Sequence, residues 1–530
     1  MKHQRGDFSR NSRILFLSSF AAVIGAVAAV VAKVLLLLIS LFTNVFYYAD
    51  VSFVARAPSM ERWGPLFILV PVVGGLIIGL MARFGSEKIR GHGIPEALEA
   101  ILFGKSIMQP KVAVLKPLSS AISIGSGGPF GAEGPIIMTG GAVGSLIAQF
   151  LHLTSAERKT LLVAGAAAGM SAVFNTPMAA LLLAVELLLF EWKPRSVAPV
   201  AVASCVAAVI RTHLLGGGAI FPLAAHLPLI DVELFFAVVL GLATGAFSTG
   251  LSNALYKLED AFLKLPIHWM WWPAMGGVVV GVGGYFQPRV LGVGYDLIAD
   301  LLNSHLAMGA VLALLVIKMT VWIFALASGT SGGVLAPLLI FGCSIGTLMS
   351  NIIPGDHSPG VWALIGMGAI MGGMMRSPLT AVIFSFELTR DSDVLLPLLI
   401  ASTVSYAFTV WAMKRSILTE KVARRGFDIF REYSVDPLER CTVAEVLDAK
   451  RKPEESVISI NVPTIFPEES CRVAADRMAQ HDVGHLQVVS KDNGHLGVVT
   501  LNDLLRARKL NIQEEVHRET MFPIMRRKPH

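Results

Sequence analysis

Long apolar runs alternate with short breaks that contain glycine and proline over the first 410 residues of the chain. The first run extends from Ile14 to Tyr48 with Lys33 as its only charged residue, and it is too long for the core of a signal peptide. Several later runs are shorter than the roughly 20 residues that a straight membrane span requires. Glycine and proline suit close helix packing and broken half-helices, so the pattern predicts an all-α polytopic membrane protein with tilted and interrupted helices.

Composition separates this membrane domain from a soluble tail. Only 15% of the residues are charged, whereas soluble proteins carry about 25%. Charged residues number 44 in residues 1–410 and 38 in residues 411–530, which argues against a single soluble enzyme. The net charge of +6 is too diffuse for a nucleic-acid-binding surface, and the four cysteines lack CxxC spacing, so neither a disulfide framework nor a metal site is expected.

Basic residues flank the membrane domain at both ends. They are Lys2, Arg5, Arg10 and Arg13 before the first run, and Lys414, Arg415, Lys421, Arg424 and Arg425 after the last. Because basic segments stay on the cytoplasmic side, we expect both termini to be cytoplasmic in a bacterial inner membrane. The predicted divisions are a cytoplasmic segment (1–13), a membrane domain (14–425) and a cytoplasmic domain (436–530).

Two motifs recur at a nearly constant offset, which indicates an internal repeat. Gly131-Ala-Glu-Gly-Pro135 and Gly333-Val-Leu-Ala-Pro337 lie 202 residues apart. Phe174-Asn-Thr-Pro-Met178 and Met375-Arg-Ser-Pro-Leu379 lie 201 residues apart, and in both copies a glutamate follows nine residues after the proline. Glycine-rich breaks at matching positions of two hydrophobic halves are typical of transporter sites near the midplane. We expect repeat halves of roughly 14–210 and 230–425, with opposed orientation.

The glycine-rich breaks suit the binding of a small anion. Helix N-termini offer unpaired N–H groups and about half an elementary positive charge. Backbone donors bind an anion without a full cation, which would hold it too tightly for release. Gly91–Pro95, Gly125–Gly131 and Ser328–Gly333 each precede an apolar run and are candidate helix starts directed at one anion.

The motifs resemble a known family. Gly91-His-Gly-Ile-Pro-Glu96, Gly131-Ala-Glu-Gly-Pro135 and Gly333-Val-Leu-Ala-Pro337 are similar, in order, to three signature segments of the CLC family of chloride channels and transporters. Ala164–Gly169 and Phe174–Pro177 form a further match. The resemblance covers roughly residues 15–425 and implies a homodimer with one anion pathway in each subunit, built from two inverted halves.

The resemblance also implies roles for individual residues. Glu133 falls on the gating glutamate, whose carboxylate competes with chloride until protonation removes its charge. Leu335 stands at the equivalent place in the second half, so the fold itself does not require an acid there, although a capping role for Glu133 is the alternative. The implied anion-binding positions are Gly91, His92, Gly93, Ile94, Pro95, Gly131, Ala132, Gly134, Pro135, Gly333, Val334, Leu335 and Leu418.

Glu186 lies in a long apolar run, which allows either a proton-relay role or a structural role. Glu387 occupies the equivalent place in the second half, so an acid recurs wherever this helix recurs. Because buried polar groups are normally paired, we favour a structural role for both, such as bonding a buried helix end.

Three positions depart from the best-known exchanger pattern. His92 replaces a serine that coordinates the central anion, and its ring could either donate to the anion in a pH-dependent way or point away from it. Leu187 replaces an internal proton-transfer glutamate, and Leu418 replaces the tyrosine that closes the inner side of the site. Both losses favour a leakier inner gate and weaker proton coupling. Fluoride transport is a rival hypothesis, but Pro135 is retained, which favours chloride.

The charge-rich tail resembles a CBS module. Val457–Ile460, Leu486–Val489 and Leu496–Thr500 are predicted strands, and Arg472–His481 and Asn502–Arg508 are predicted helices. Only one repeat fits before residue 530, so we expect it to pair with the tail of the other subunit. The resemblance makes Thr500 and Asp503 candidate contacts for the ribose of an adenine nucleotide, with a purely structural dimerisation tail as the alternative.

We conclude that the sequence predicts a glutamate-gated transporter of chloride and similar small anions in exchange for protons. The alternatives are a passive chloride channel, a fluoride-type transporter and a nucleotide-sensing membrane protein. The membrane core has no HExxH motif and its few acids lack metal-ligand spacing, so neither an enzyme nor a cofactor is expected.

Overall fold

Proline and glycine help to divide the apolar runs of the membrane domain into helices, and seven of the seventeen α-helices in its described residues begin at a proline or directly after a glycine. In the computed structural model, the described residues are 13–223, 231–353, 358–426, 438, 441–447, 462–490 and 494–516. The chain divides into two units, residues 1–430 and 431–530.

The first half of the membrane unit contains helices α1 to α8. Their bounds are Arg13–Thr43 (α1), Leu69–Phe84 (α2), Ile94–Leu102 (α3), Pro110–Gly125 (α4), Glu133–Gln149 (α5), Ser155–Phe174 (α6), Pro177–Leu183 (α7) and Pro194–Leu215 (α8). α1 continues into a π-helical turn at Asn44–Tyr48, and α7 into one at Ala184–Leu189.

The second half repeats this order in α9 to α16, and α17 follows. The bounds are Asp231–Leu263 (α9), Trp272–Phe286 (α10), Tyr295–Leu302 (α11), Met308–Ala327 (α12), Leu335–Ser350 (α13), Pro359–Met375 (α14), Pro378–Thr389 (α15), Leu395–Ala412 (α16) and Ile417–Ala423 (α17). The two halves form the inverted repeat expected for this fold class.

Equivalent breaks occur at equivalent positions of the two halves. α6 ends at Asn175 and α14 at Arg376, both in the left-handed conformation with φ of 55° and 57°. Pro177 and Pro378 then begin the following helices, because a proline at the first helical position loses no hydrogen bond. The apolar run at 161–190 therefore forms two helices, α6 and α7, which are separated by a break at Asn175.

Pairs of helices pack within each half and across the two halves. α5 packs along α6, and α13 along α14, while α2 packs against α10 and α7 against α15. Glycines allow close approach: a Cβ at Gly140 would lie 2.3 Å from the carbonyl oxygen of Gly165, and one at Gly342 would lie 2.4 Å from that of Gly366. These close crossings bury the centre of the unit.

Six segments among the described residues are long and apolar enough to cross a membrane. They are Arg13–Tyr48, Gly64–Phe84, Pro194–Leu215, Val232–Leu263, Met308–Ala327 and Leu395–Ala423. Shorter apolar helices, including α13 and α14, lie between them. The protein is therefore an integral membrane protein with broken helices at its centre.

The second unit contains a three-stranded sheet and short helices. The strands are β1 (Thr464–Ile465), β2 (His485–Val489) and β3 (His495–Thr500), and the helices are α18 (Val443–Val446), α19 (Cys471–His481) and α20 (Leu501–Val516). β2 is central, parallel to β1 and antiparallel to β3. The predicted strand at Val457–Ile460 lies outside the described residues, and the predicted helix at Asn502–Arg508 is longer than expected.

Candidate anion-binding site

Glu133 is the first residue of α5, and its side chain reaches the N-terminus of α13 in the other half of the repeat. Its Oε1 atom accepts a hydrogen bond of 2.8 Å from the backbone N–H of Ala336. The residue is fully buried, and its Oε2 atom has no hydrogen-bond partner. Because a helix N-terminus attracts anions through free N–H groups and its dipole, the carboxylate occupies a place that suits a small anion.

The glycine-rich segments before α5 and α13 are joined by their backbones. The N–H of Gly131 donates to the carbonyl oxygen of Gly333 at 3.1 Å, and the N–H of Gly333 donates to that of Gly131 at 2.9 Å. These two residues are equivalent in the repeat, so the two reciprocal hydrogen bonds relate the two segments by an approximate two-fold axis. A Cβ at Gly333 would lie 2.9 Å from the carboxyl carbon of Glu133, which leaves no room for a larger residue.

The segment before α3 reaches the same place. A Cβ at Gly134 would lie 1.9 Å from the carbonyl oxygen of His92, and one at Gly93 would lie 2.7 Å from that of Gly134. Gly93 has a φ of +90°, which disfavours any residue with a side chain. The structure thus brings the candidate segments Gly91–Pro95 and Gly131–Pro135 into contact. The hydrogen bonds between Gly131 and Gly333 join the third segment, Gly333–Pro337, to them.

Lys116 holds the first segment in position. Its fully buried ammonium group donates to the carbonyl oxygens of Ile89 at 2.8 Å and Gly91 at 2.7 Å, and to the hydroxyl of Ser331 at 3.1 Å. These three bonds use all three ammonium protons. Lys116 therefore fixes the carbonyl oxygens of Ile89 and Gly91 in the segment that leads into α3.

His92 is buried in this loop, with 1% of its surface exposed, and its Nδ1 atom has no hydrogen-bond partner. The first free N–H of the adjoining helix, that of Gly93, donates to the Glu96 carboxylate at 2.9 Å. Arg425 contacts the same carboxylate at 2.5 Å. An acid of α3 thus caps its own helix, and the imidazole Nδ1 is a buried side-chain atom of this loop without a partner.

Leu418 is fully buried in α17, which packs against α3. Ser416 caps this helix by accepting a 3.3 Å hydrogen bond from the N–H of Thr419, and the Tyr256 hydroxyl donates to the carbonyl oxygen of Ile417. The helix that carries Leu418 is therefore anchored beside the first glycine-rich segment. The side chain that α17 buries there is the apolar Leu418.

A family model described as voltage gated chloride channel matches residues 74–410, more than half of the chain. The chain belongs to this CLC family. A second model, described as CBS domain, matches residues 455–510, so this CLC protein carries a C-terminal CBS domain, as the tail motif predicted.

Similar bacterial proteins cover most of the membrane unit. The chain is 30% identical over 392 residues to a putative chloride channel protein ClcB-like from Ralstonia nicotianae, covering 72% of this chain and 91% of that protein. It is 28% identical over 422 residues to the H(+)/Cl(-) exchange transporter ClcA from Klebsiella pneumoniae, covering 75% and 87%. The names of these relatives describe a chloride channel and a proton/chloride exchange transporter.

Solved structures share the CLC fold. A slow cyanobacterial Cl-/H+ antiporter superposes with a TM-score of 0.69 at 22% identity, covering 79% of this chain and 99% of that one. A CLC-type fluoride/proton antiporter gives a TM-score of 0.63 at 19% identity, covering 75% and 96%. At these identities the likeness concerns the fold alone.

The two repeated acids of the CLC unit cap helices rather than line the site. Glu186 accepts a hydrogen bond of 2.8 Å from the backbone N–H of Thr380, and Glu387 accepts one of 2.8 Å from that of Ala179. Each capped residue lies in the first turn of α15 or α7. This arrangement matches the structural interpretation of both acids. Leu187 is fully buried in the apolar core, with no acid at that position.

Hydropathy and motif spacing did not point to the two buried lysines of the membrane unit, Lys116 and Lys318. Lys318, 202 positions after Lys116, donates to the carbonyl oxygens of Val290 at 2.7 Å and Gly292 at 3.1 Å. The offset that revealed the glycine motifs also relates these two lysines, so the repeat carried a signal that could have found them.

In the CBS unit, the two candidate nucleotide contacts bind each other. The backbone N–H and the hydroxyl of Thr500 donate to the Asp503 carboxylate at 2.9 Å and 2.7 Å. This is a helix cap for α20, which favours a structural role. Within the described parts of the chain, no group of three or more His, Cys, Asp or Glu side chains has a geometry that could hold a metal ion.

Proposed function

We propose that this CLC protein exchanges chloride for protons across the bacterial inner membrane, with both termini in the cytoplasm and Glu133 as the gate. The main support for the proposal is the hydrogen bond that the Glu133 carboxylate accepts from the N–H of Ala336 at the start of α13. A carboxylate and a chloride ion would compete for this helix N-terminus, so the site holds one or the other.

Protonation links the two ions. A protonated carboxyl group loses its charge and most of its attraction to the α13 N-terminus. It then leaves, and an anion from either side can take the backbone donors of the three glycine-rich segments. When the anion departs, the deprotonated carboxylate returns. Each cycle therefore moves a proton in one direction and chloride in the other.

The inner side differs from the exchangers with an internal acid. Leu187 offers no proton acceptor, and Leu418 offers no hydroxyl to close the site. We propose that protons reach Glu133 from the cytoplasm through water, and that coupling is looser than in exchangers with both groups. The relatives named H(+)/Cl(-) exchange transporter favour exchange over passive conductance.

The subunit assembly is part of the proposal. We propose a homodimer with an independent pathway in each subunit, in which the CBS units pair through apolar side chains that one unit leaves exposed. Those side chains include Leu501 and Leu505 of α20, which are 53% and 62% exposed. An adenine nucleotide bound at Thr500 and Asp503 is the second candidate function, and it requires their mutual hydrogen bonds to open.

Flux with simultaneous pH recording tests the main proposal. Full-length protein in liposomes with an outward chloride gradient should release chloride and move protons inward, so that the outside becomes more alkaline. Glu133→Gln should retain chloride flux and abolish proton movement, because its neutral side chain cannot carry a proton. Glu61→Gln, which alters an exposed acid outside the helices, is the matched control and should behave as the wild type.

Chloride release by the wild type without any proton movement would refute exchange and establish passive conductance. An unchanged coupling ratio in Glu133→Gln would remove Glu133 from the gate. Replacing chloride with fluoride in the same vesicles tests the rival anion, and faster fluoride release would contradict the chloride assignment.

A further inference from the structure

The loop before α11 is a structural copy of the anion-binding loop before α3. Gly292 and Gly294 lie 201 residues after Gly91 and Gly93, and all four have positive φ values between +66° and +90°. A buried lysine holds the carbonyl oxygens of each loop, Lys116 in the first half and Lys318 in the second. Because the halves are inverted, the two loops approach the middle of the protein from opposite sides.

The copy differs at the first helical residue, where Tyr295 stands in place of Ile94. The ring of Tyr295 packs against Phe174 and Phe221, with centroids 6.0 Å from each. Its hydroxyl group is buried and has no hydrogen-bond partner. Because a buried hydroxyl without a partner is costly, this group is expected to have a partner in another state of the protein.

The nearby acid is the gate. The Tyr295 hydroxyl lies within electrostatic range of the Glu133 carboxylate, whose Oε2 atom is also unpartnered. The geometry connects them through α13: Ala336 holds the carboxylate, and Ile340, one turn later, would lie 2.9 Å from a Cβ at Gly294, next to Tyr295. Both buried oxygen atoms lack a hydrogen-bond partner, and α13 contacts both Glu133 and the residue next to Tyr295.

Other charged groups around Tyr295 are already engaged. The ammonium group of Lys318 binds the two carbonyl oxygens of its loop, and Asp296 is exposed and lies 3.9 Å from Arg289. α11 packs against α13 and α14, and neither of these two helices carries a charged residue. The gate is therefore the ionisable partner that this environment offers to the hydroxyl.

We propose that Tyr295 is a positioning residue for the open gate: its hydroxyl binds the Glu133 carboxyl group after that group leaves the α13 N-terminus. A phenol can donate to a carboxylate oxygen and can accept from a protonated carboxyl group, so it holds the released side chain in both protonation states. Without it, the released carboxyl group has no fixed partner, and the open state is populated less.

Tyr295→Phe tests this inference, because it keeps the ring and removes only the hydroxyl. We expect chloride turnover in liposomes to fall about 3- to 10-fold, the value of one hydrogen bond. We also expect the melting temperature to stay the same or rise, because the closed state loses an unpartnered buried hydroxyl. A purely structural role would lower both together. Tyr285→Phe, at a half-exposed tyrosine of α10, is the matched control and should change neither.

A double-mutant cycle identifies the partner. In a Glu133→Ala background there is no carboxyl group to hold, so Tyr295→Phe should have no further effect on flux. An equal loss of flux in both backgrounds, or wild-type turnover in Tyr295→Phe, would overturn the inference. The inference rests on the proposed gate, and the two fail differently: absence of exchange would appear as uncoupled chloride release by the wild type, whereas failure of the inference leaves wild-type exchange intact.

Discussion

Glu186 and Glu387 cap helices in each other's half of the protein. The carboxylate of Glu186 binds the N–H of Thr380 at the start of α15, and that of Glu387 binds the N–H of Ala179 at the start of α7, each at 2.8 Å. These reciprocal caps tie the two repeats together. The repeated acids therefore serve the fold, and this contrast supports the proposal that the unrepeated Glu133 acts in the anion pathway.

Removing either cap should destabilise the protein without changing its coupling. Glu186→Ala and Glu387→Ala should each lower the free energy of unfolding by about 0.5–2 kcal/mol, because helix N–H groups lose their acceptor. Thermal melting in detergent measures the loss, and the two variants serve as controls for one another. A lower proton-to-chloride ratio in Glu186→Ala alone would contradict this and support a proton relay.

His92 should contribute a donor to the bound anion through its unpartnered Nδ1 atom. His92→Ala should weaken chloride binding about 2- to 10-fold, which corresponds to one hydrogen bond, and His92→Asn should recover part of the affinity because its amide can donate. Titration calorimetry with chloride measures both. Equal affinities in the wild type and His92→Ala would show that backbone N–H groups bind the anion without the imidazole.

The two buried lysines should differ in their effect on anion binding. Lys116→Met and Lys318→Met each leave two buried carbonyl oxygens without a donor, so both should lower stability by about 1–3 kcal/mol for each unpaired group. Lys116 binds a carbonyl oxygen of the loop that contains His92, so only its removal should also weaken chloride binding. Melting and chloride titration of the two variants separate these effects. Equally weakened binding in Lys318→Met would contradict the assignment.

The hydrogen bonds between Thr500 and Asp503 predict a structural role in the CBS unit. Asp503→Ala should lower the stability of that unit by about 1 kcal/mol through loss of a helix cap, and millimolar ATP should leave the melting temperature and the chloride flux of the full-length protein unchanged. An ATP-dependent rise in melting temperature that Thr500→Val removes would instead establish nucleotide binding.

Much of the membrane unit follows from local sequence. Low charge, glycine-rich breaks and prolines nine residues before a repeated glutamate predicted broken helices, a two-fold repeat and a CBS tail, because each of these depends on spacing along the chain. The long run at 161–190 was the exception. Its division between α6 and α7 depends on the left-handed Asn175, which hydropathy alone does not reveal.

Contacts between the halves could be found only in three dimensions. The resemblance of Gly131–Pro135 to a CLC signature segment singled out Glu133, and Leu335 at the equivalent place of the repeat supported that choice. Only the tertiary structure placed its carboxylate on the N–H of Ala336, 203 residues away. The same holds for the exchanged caps of Glu186 and Glu387 and for the unpartnered hydroxyl of Tyr295. Residue type and periodicity determine which helices form and where they break, whereas the approach of one helix start to another depends on packing between segments that are distant in the chain.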